Sequence, residues 1–464
     1  MKNSILKIVL ITIILIFNLG TNAQSIQYTM PEEITQHEGT WLQWPHNHTY
    51  PPYYRSDLEP TWIAMTDALV AGENVHIIAY DSIEYNHIVQ VLTNASVPLT
   101  NVDFFIYPNN DVWVRDNGPI FVFDNNGDIA ILDWGFNGWG NAAPYSLCDV
   151  IPQLVSTDIA LPYVDLSAMV LEGGSFEIDG NGTLMATKSS IINTNRNPLL
   201  TQIQIENYMT INIGVTNFIW LDGVAGLEIT DMHIDGFARF HDSSTIVTMD
   251  SLDLIYWEVP AADINTLYCA QNIVGNPYTY IYLPLTANNV VTTWGQNLGY
   301  KGGYVNYYIG NTAVLVPSYN DPNDATAISI LQTLYPSRTV VGIDVRNLYY
   351  GGGMVHCVTQ QQPYYQNTVS ISGPGKDGIN LSQNYPNPFS ASTNIIFTLE
   401  KEAFVILNVY NSQGKLVTVS INSKLQAGVH NISLFAENYE TGIYSYILKI
   451  NESTILCKKM VVLK

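Results

Sequence analysis

The sequence predicts a large α/β domain followed by a small β-sandwich. Three observations carry that prediction. Strand-like and helix-like apolar runs alternate from Gln24 to about Ser370. The composition then breaks at Gly373-Pro374-Gly375-Lys376-Asp377-Gly378, a punctuated linker. Beyond it, short strand-like runs are separated by turn residues.

The first residues have the form of an export signal over residues 1–23. Lys2 and Lys7 supply charge, Ile8 to Phe17 is almost wholly apolar, and Thr21-Asn22-Ala23 offers a small residue before Gln24. The apolar core is short for a membrane span, and no later run reaches the roughly 18 apolar residues that a span needs. A soluble exported protein is expected.

Residues 24–370 can bury one substantial core. Val75–Ala79, Ile120–Phe123, Ile129–Leu132, Thr245–Met249 and Ala313–Val316 read as strands. Leu58–Ala71 and Ala325–Tyr335 read as helices, the second opening after Asp321-Pro322-Asn323-Asp324, a plausible N-cap region. Repeats are not evident from sequence identity. After the linker at 371–378, residues 379–464 contain strand-like Ile395–Leu399, Ala403–Tyr410, His430–Leu434 and Ile443–Ile450, the spacing of a β-sandwich.

The chain carries 40 acidic and 18 basic residues. Between residue 24 and the tail the imbalance sharpens to 34 acidic against eight basic. Such a field disfavours nucleic acid and anionic lipid and attracts small cations. Of four cysteines, Cys457 belongs to the tail, leaving Cys148, Cys269 and Cys357. An odd number leaves at least one free thiol, and the sequence leaves open whether Cys148 and Cys269 pair. No CxxC or Cys/His cluster of zinc type is present, nor a phosphate-loop or HExxH motif.

Four segments gather polar groups: Asp111 to Pro119, Leu171 to Ser175, Asp231 to Phe240, and Gly351-Gly352-Gly353-Met354-Val355-His356-Cys357. If the third is extended, alternation puts His233 and Asp235 on one face, a pairing suited to proton transfer beside a cation. In the fourth, three glycines free the backbone for close approach to a ligand, and Cys357 ends that approach. Read on residue chemistry alone, these groups reach a Cys/His hydrolase.

In order, the residues Met30-Pro31-Glu32, His37-Glu38-Gly39-Thr40-Trp41, Trp44-Pro45-His46-Asn47, Trp113-Val114-Arg115-Asp116 and Asp133-Trp134-Gly135-Phe136-Asn137 resemble the agmatine deiminase family, which includes the Porphyromonas-type peptidylarginine deiminases. The match continues through Glu172-Gly173-Gly174-Ser175, Asn195-Arg196-Asn197-Pro198, His233-Ile234-Asp235, Tyr304-Val305-Asn306 and Gly351 to Cys357. The resemblance implies a pentein fold, a five-bladed ββαβ propeller around a polar channel. It implies Cys357 as nucleophile, His233 as proton carrier, and Asp116 and Asp235 as the carboxylates that hold a guanidinium. Trp113 and Asn306 match positions lining or supporting the site. Glu172 is expected to orient His233, to meet substrate, or to serve structure alone. No metal or cofactor is required.

The implied substrate is agmatine or an arginine-containing peptide. Between Asn117 and Asn195 there is no Arg and only Lys188, which fits a substrate without a carboxylate; export favours the peptide. A non-catalytic surface binder of polyamines or cationic peptides is the reading from another class. In the tail, Asn384 to Phe389, Val409-Tyr410-Asn411, Gly442-Ile443-Tyr444 and Lys458-Lys459-Met460 resemble the type IX secretion sorting domain. This implies the type IX machinery as partner and a secreted or cell-surface destination.

Overall fold

The computed structural model describes residues 27–365, 380–381, 384, 386–399, 401–411, 415–451 and 454–463. The expected signal at 1–23 and linker at 371–378 lie outside the described residues. The chain divides into two compact units between positions 366 and 367.

The first unit has a mixed α/β fold built on one repeated plan. An antiparallel strand pair is followed by a helical crossover that returns the chain parallel to the second strand. Ile120–Asp124 pairs antiparallel with Ile129–Gly135, which pairs parallel with Tyr163–Val170. Phe176–Ile178, Thr183–Thr187 and Asn217–Leu221 repeat the pattern. So do Ala238–Asp242, Thr245–Thr248 and Thr279–Tyr282, and Tyr308–Ile309, Ala313–Ser318 and Thr339–Asp344. In the fifth sheet Gln360–Pro363 pairs antiparallel with His37–Gln43, which pairs parallel with Asn74–Ala79. That sheet joins the end of the unit to its beginning. A separate hairpin, Leu285–Val291 with Asn297–Gly303, extends beside the fourth sheet in sequence.

The strands are short and their centres are covered on both faces, which explains their continuous apolar runs. Trp41, Leu42, Ile77 and Ile78 are fully buried, each contributing on the order of 1.5–3 kcal/mol. Trp62 is buried too, and its indole N–H donates to the Gln43 carbonyl at 2.8 Å. Its helix, Pro52–Leu69, begins well before the expected Leu58. Pro52 at the first turn lacks an N–H that no helical carbonyl would receive, so it starts the helix rather than delaying it. Among the described residues no helix is long and apolar enough to cross a membrane.

In the second unit, Asn380–Leu381, Ser392–Leu399 and Gly428–Phe435 form one antiparallel sheet. Leu416–Leu425, Ala403–Asn411, Gly442–Ile450 and Thr454–Val462 form the other. Val405, Leu407 and Val409 alternate inward onto Ile395, Phe397 and Tyr446, giving both sheets one core. Leu416–Leu425 and Thr454–Val462 were not anticipated. The first is mostly exposed and carries only a weak apolar alternation.

Candidate active site

Each of the five sheets is entered through a segment that delivers a polar group to one place. Asp116 lies just before Ile120–Asp124, Gly174 before Phe176–Ile178, His233 and Asp235 before Ala238–Asp242, Asn306 before Tyr308–Ile309, and Cys357 before Gln360–Pro363. Trp113, Asp116, His233, Asp235, Asn306 and Cys357 all line one cavity of about 860 Å³. Glu172, the remaining expected residue, stands behind His233 and is buried.

Gly174 is the point on which the site closes. A Cβ there would lie 2.8 Å from Asp116 Oδ1, 2.8 Å from His233 Nδ1 and 3.1 Å from Asp235 Oδ2. No side chain fits among the three. The Gly174 N–H donates to Asp116 Oδ1 at 3.1 Å, and the Trp139 indole N–H donates to Asp116 Oδ2 at 2.9 Å. Trp139 reaches that position from a left-handed backbone, φ 53°. Trp134, at the end of the strand Ile129–Gly135, packs into an apolar cluster.

His233 and Asp235 are not on an extended strand. His233 precedes a tight 3-10 turn, Ile234–Gly236, and is itself preceded by Asp231 and Met232 at φ 60° and 74°. Two non-glycine residues in the left-handed region are strained unless their surroundings hold them. Arg196 supplies much of that hold, donating to Asp231 Oδ2 at 2.5 Å and to Glu172 Oε1 at 2.8 Å. Glu172 Oε2 in turn meets His233 Nε2 at 3.0 Å, leaving Nδ1 on the side of Asp116, 3.6 Å from its Oδ1. Glu172 thus contacts the imidazole directly.

Cys357 is half-buried, in the 3-10 turn His356–Val358. The Asn306 amide lies 3.4 Å from its sulfur and donates to the Asp235 carbonyl at 3.3 Å. At Gly353 a Cβ would strike the Trp113 ring at 2.2 Å, so the indole packs directly against the chain leading to the thiol. His356 bridges two acids, with Nδ1 2.8 Å from Asp235 Oδ2 and Nε2 2.8 Å from Glu33 Oε2. Arg115 and Arg239 complete this buried layer at 3.4 and 3.0 Å from Glu33. Sequence reasoning missed Glu33; its only signal was the adjacent Met30-Pro31-Glu32 match.

Burial and clustered carboxylates set the electrostatics of the site. Burial lifts the Asp116 carboxyl, with Glu172 and Asp235 adding to it against His233, to a pKa of about 6. Burial pulls the His233 imidazole down, but Asp116 and Glu172 outweigh it and raise its pKa to about 9. For Asp235 burial acts upward, and His356 overcomes it to leave the carboxyl below its usual range. Burial, Asp235 and Asp116 push the Cys357 thiol well above its ordinary value. A cation placed between the carboxylates and the sulfur would favour the charged forms of Asp116 and Cys357 together.

Cys148 is buried against Phe136 and Trp139, whereas Cys269 is exposed, and both are free thiols.

Residues 383–463 match the secretion system C-terminal sorting domain. An agmatine deiminase of Pseudomonas aeruginosa is 31% identical over 72% of this chain and 95% of its own. One of Pseudomonas fluorescens is 32% identical over 72% and 95%. The solved agmatine deiminase of Enterococcus faecalis, 27% identical, superposes with a TM-score of 0.64 over 73% of this chain and 96% of its own. Residues 29–363 match the Porphyromonas-type peptidyl-arginine deiminase family, and the chain belongs to that family.

Proposed function

We propose that this chain is an exported guanidinium deiminase that converts agmatine and water to N-carbamoylputrescine and ammonia. The observation carrying this is the convergence of Cys357, His233, Asp116 and Asp235 on one cavity. A guanidinium is planar and hard to deprotonate, and two carboxylates can each accept from one of its N–H edges. Asp116 and Asp235 take that role. The bound cation stabilises the Cys357 thiolate, the thiol proton is released to solvent, and the sulfur attacks the guanidinium carbon. His233 gives a proton to the leaving nitrogen as the C–N bond breaks, so ammonia departs and an amidino thioether remains. His233, now neutral, takes a proton from water as the oxygen attacks that carbon. The C–S bond breaks, the proton of the added hydroxyl passes to the sulfur to restore the thiol, and the carbon leaves as a ureido group.

The five similar sheets, each delivering a group to one cavity, support the reading that they are blades of a propeller around it. The sorting-domain match supports passage through the type IX machinery, with residues 1–23 as signal, to the cell surface or beyond.

Peptidyl-arginine is the second reading. A cavity of about 860 Å³ is in the range of ~300–1,000 Å³ that encloses drug-sized ligands. That is roomy for a molecule as small as agmatine. The test is incubation with agmatine and with an arginine-terminated peptide, assaying ammonia and ureido product. Cys357→Ala should abolish turnover and retain binding. No product from either substrate under reducing conditions would favour a non-catalytic binder.

A further inference from the structure

Asp116 and Asp235 share one cavity and differ in what holds them. Asp116 accepts from two neutral donors, the Gly174 N–H at 3.1 Å and the Trp139 indole at 2.9 Å, with His233 3.6 Å away. Asp235 is backed by the buried ring of His356, whose Nδ1 lies 2.8 Å from Oδ2. The other ring nitrogen, Nε2, lies 2.8 Å from Glu33 Oε2. Burial works against both charges, yet Glu33, facing Arg239 and His356, and Asp235, facing His356, stay below the usual carboxylate range. Ionised carboxylates only accept, so a ring caught between two of them donates from both nitrogens and carries a positive charge.

The surrounding charges agree. Arg239 meets Glu33 at 3.0 Å and Glu177 at 2.8 Å, and Arg115 meets Glu33 at 3.4 Å. Two arginines thus balance two glutamates, and Asp235 has His356 as its counter-charge. The other charged or titratable groups around Asp235 are His233, Arg115, Asp116 and Cys357. Among the described residues only His356 hydrogen-bonds its carboxylate. The ring is also fixed through its backbone. The His356 N–H donates to Asn306 Oδ1 at 2.9 Å, and its carbonyl accepts the Arg115 Nε–H at 3.3 Å. Cys357 follows directly, so one anchored peptide sets both the nucleophile and the support of the carboxylate beside it.

We propose that His356 is a positioning residue for the deimination, an imidazolium that keeps Asp235 ionised and aimed into the cavity before substrate arrives. Asp116 is then the one carboxylate of the pair that changes charge, releasing its proton to solvent as the guanidinium seats. This rests on the deiminase reading and deepens it, because the two acids take unequal parts. Asp235 attracts the cation at rest, and Asp116 completes its hold.

Two measurements test this. The first counts protons in Cys357→Ala, which has no thiol proton to lose. Agmatine binding is followed by calorimetry in buffers of different ionisation enthalpy at about pH 5, where Asp116, with its pKa of about 6, is mostly protonated. Release should be about one proton per agmatine, and release of about two, with Asp235 also protonated at rest, overturns the inference. The second uses His356→Asn, whose amide can still donate to Asp235 but carries no charge. The acid limb of kcat/KM for agmatine should move to higher pH and steepen from one proton toward two. A role in packing alone would lower kcat/KM at every pH and leave the limb in place, and that result overturns the inference while leaving the deiminase reading intact. If His356→Asn does not fold, the proton count in Cys357→Ala decides. Wild type that turns over no agmatine, with Cys357→Ala binding none, overturns both.

Discussion

His356 and Glu33 meet at 2.8 Å beneath the cavity, and the same carboxylate oxygen also receives Arg239 at 3.0 Å and Arg115 at 3.4 Å. Its other oxygen accepts the Ile309 N–H at 2.8 Å. Burial opposes the Glu33 charge, but Arg239, His356 and Arg115 outweigh it and hold its pKa well below the carboxylate range. One acid thus ties together groups from the first, third, fourth and fifth of the site-bearing segments.

Truncating that acid should therefore cost much more than a surface pair would. Glu33→Ala leaves buried cations without their counter-charge and should destabilise the first unit by about 3–5 kcal/mol. Urea unfolding, followed by tryptophan fluorescence, measures it. A loss under about 1 kcal/mol, the level of an exposed pair, would show that the layer is not needed for folding.

Gly174→Ala tests the geometry directly. The added methyl meets Asp116, His233 and Asp235 at once, so those side chains must part. Displacing reacting groups by about 1 Å costs on the order of 10²-fold in rate. The expected result is a kcat/KM lowered at least that far, with a near-native circular dichroism spectrum. Full activity would mean that the three groups do not act from these positions.

Much of this site was legible as segments and little of it as geometry. The Asp116, Glu172, His233 and Cys357 segments carry uncommon polar groups between apolar runs, so the sequence exposes them. Their meeting depends on backbone that composition hides. His233 and Asp235 are joined by a 3-10 turn after two left-handed residues, where strand alternation would have them on an extended face. The repeated sheet plan lies in backbone pairing, which many apolar sequences satisfy, so identity does not reveal it.

The pH dependence follows from two groups. Asp116, lifted to about 6 by burial, must be ionised to accept a cation, so kcat/KM should rise as pH increases through 6. His233 must be protonated to release ammonia, so kcat/KM should fall above about 9. A bell between those values is expected.

Glu172→Gln separates orientation from structure. Its carboxylate is one of the charges lifting His233, so neutralising it should move the upper limb of the bell to lower pH. A purely structural Glu172 would lower kcat at every pH and leave that limb in place.

The remaining thiols make a prediction about chemical accessibility. Burial raises the Cys148 thiol to about 12, with the Asn110 N–H donating to its sulfur at 3.3 Å. At neutral pH almost none of it is thiolate, and the Phe136 and Trp139 rings cover it. Cys269 is exposed at the end of the helix Ala261–Tyr268. Brief iodoacetamide treatment of the native protein, followed by peptide mass mapping, should label Cys269 and spare Cys148 until denaturant is added. Cys357 should resist as well while the cavity is empty, because its thiol is held protonated, and should react faster when a guanidinium that cannot turn over is present but leaves the sulfur accessible. If Cys357 alkylates readily without any cation, the resting sulfur is already a thiolate, and the carboxylates around it do not set its charge state.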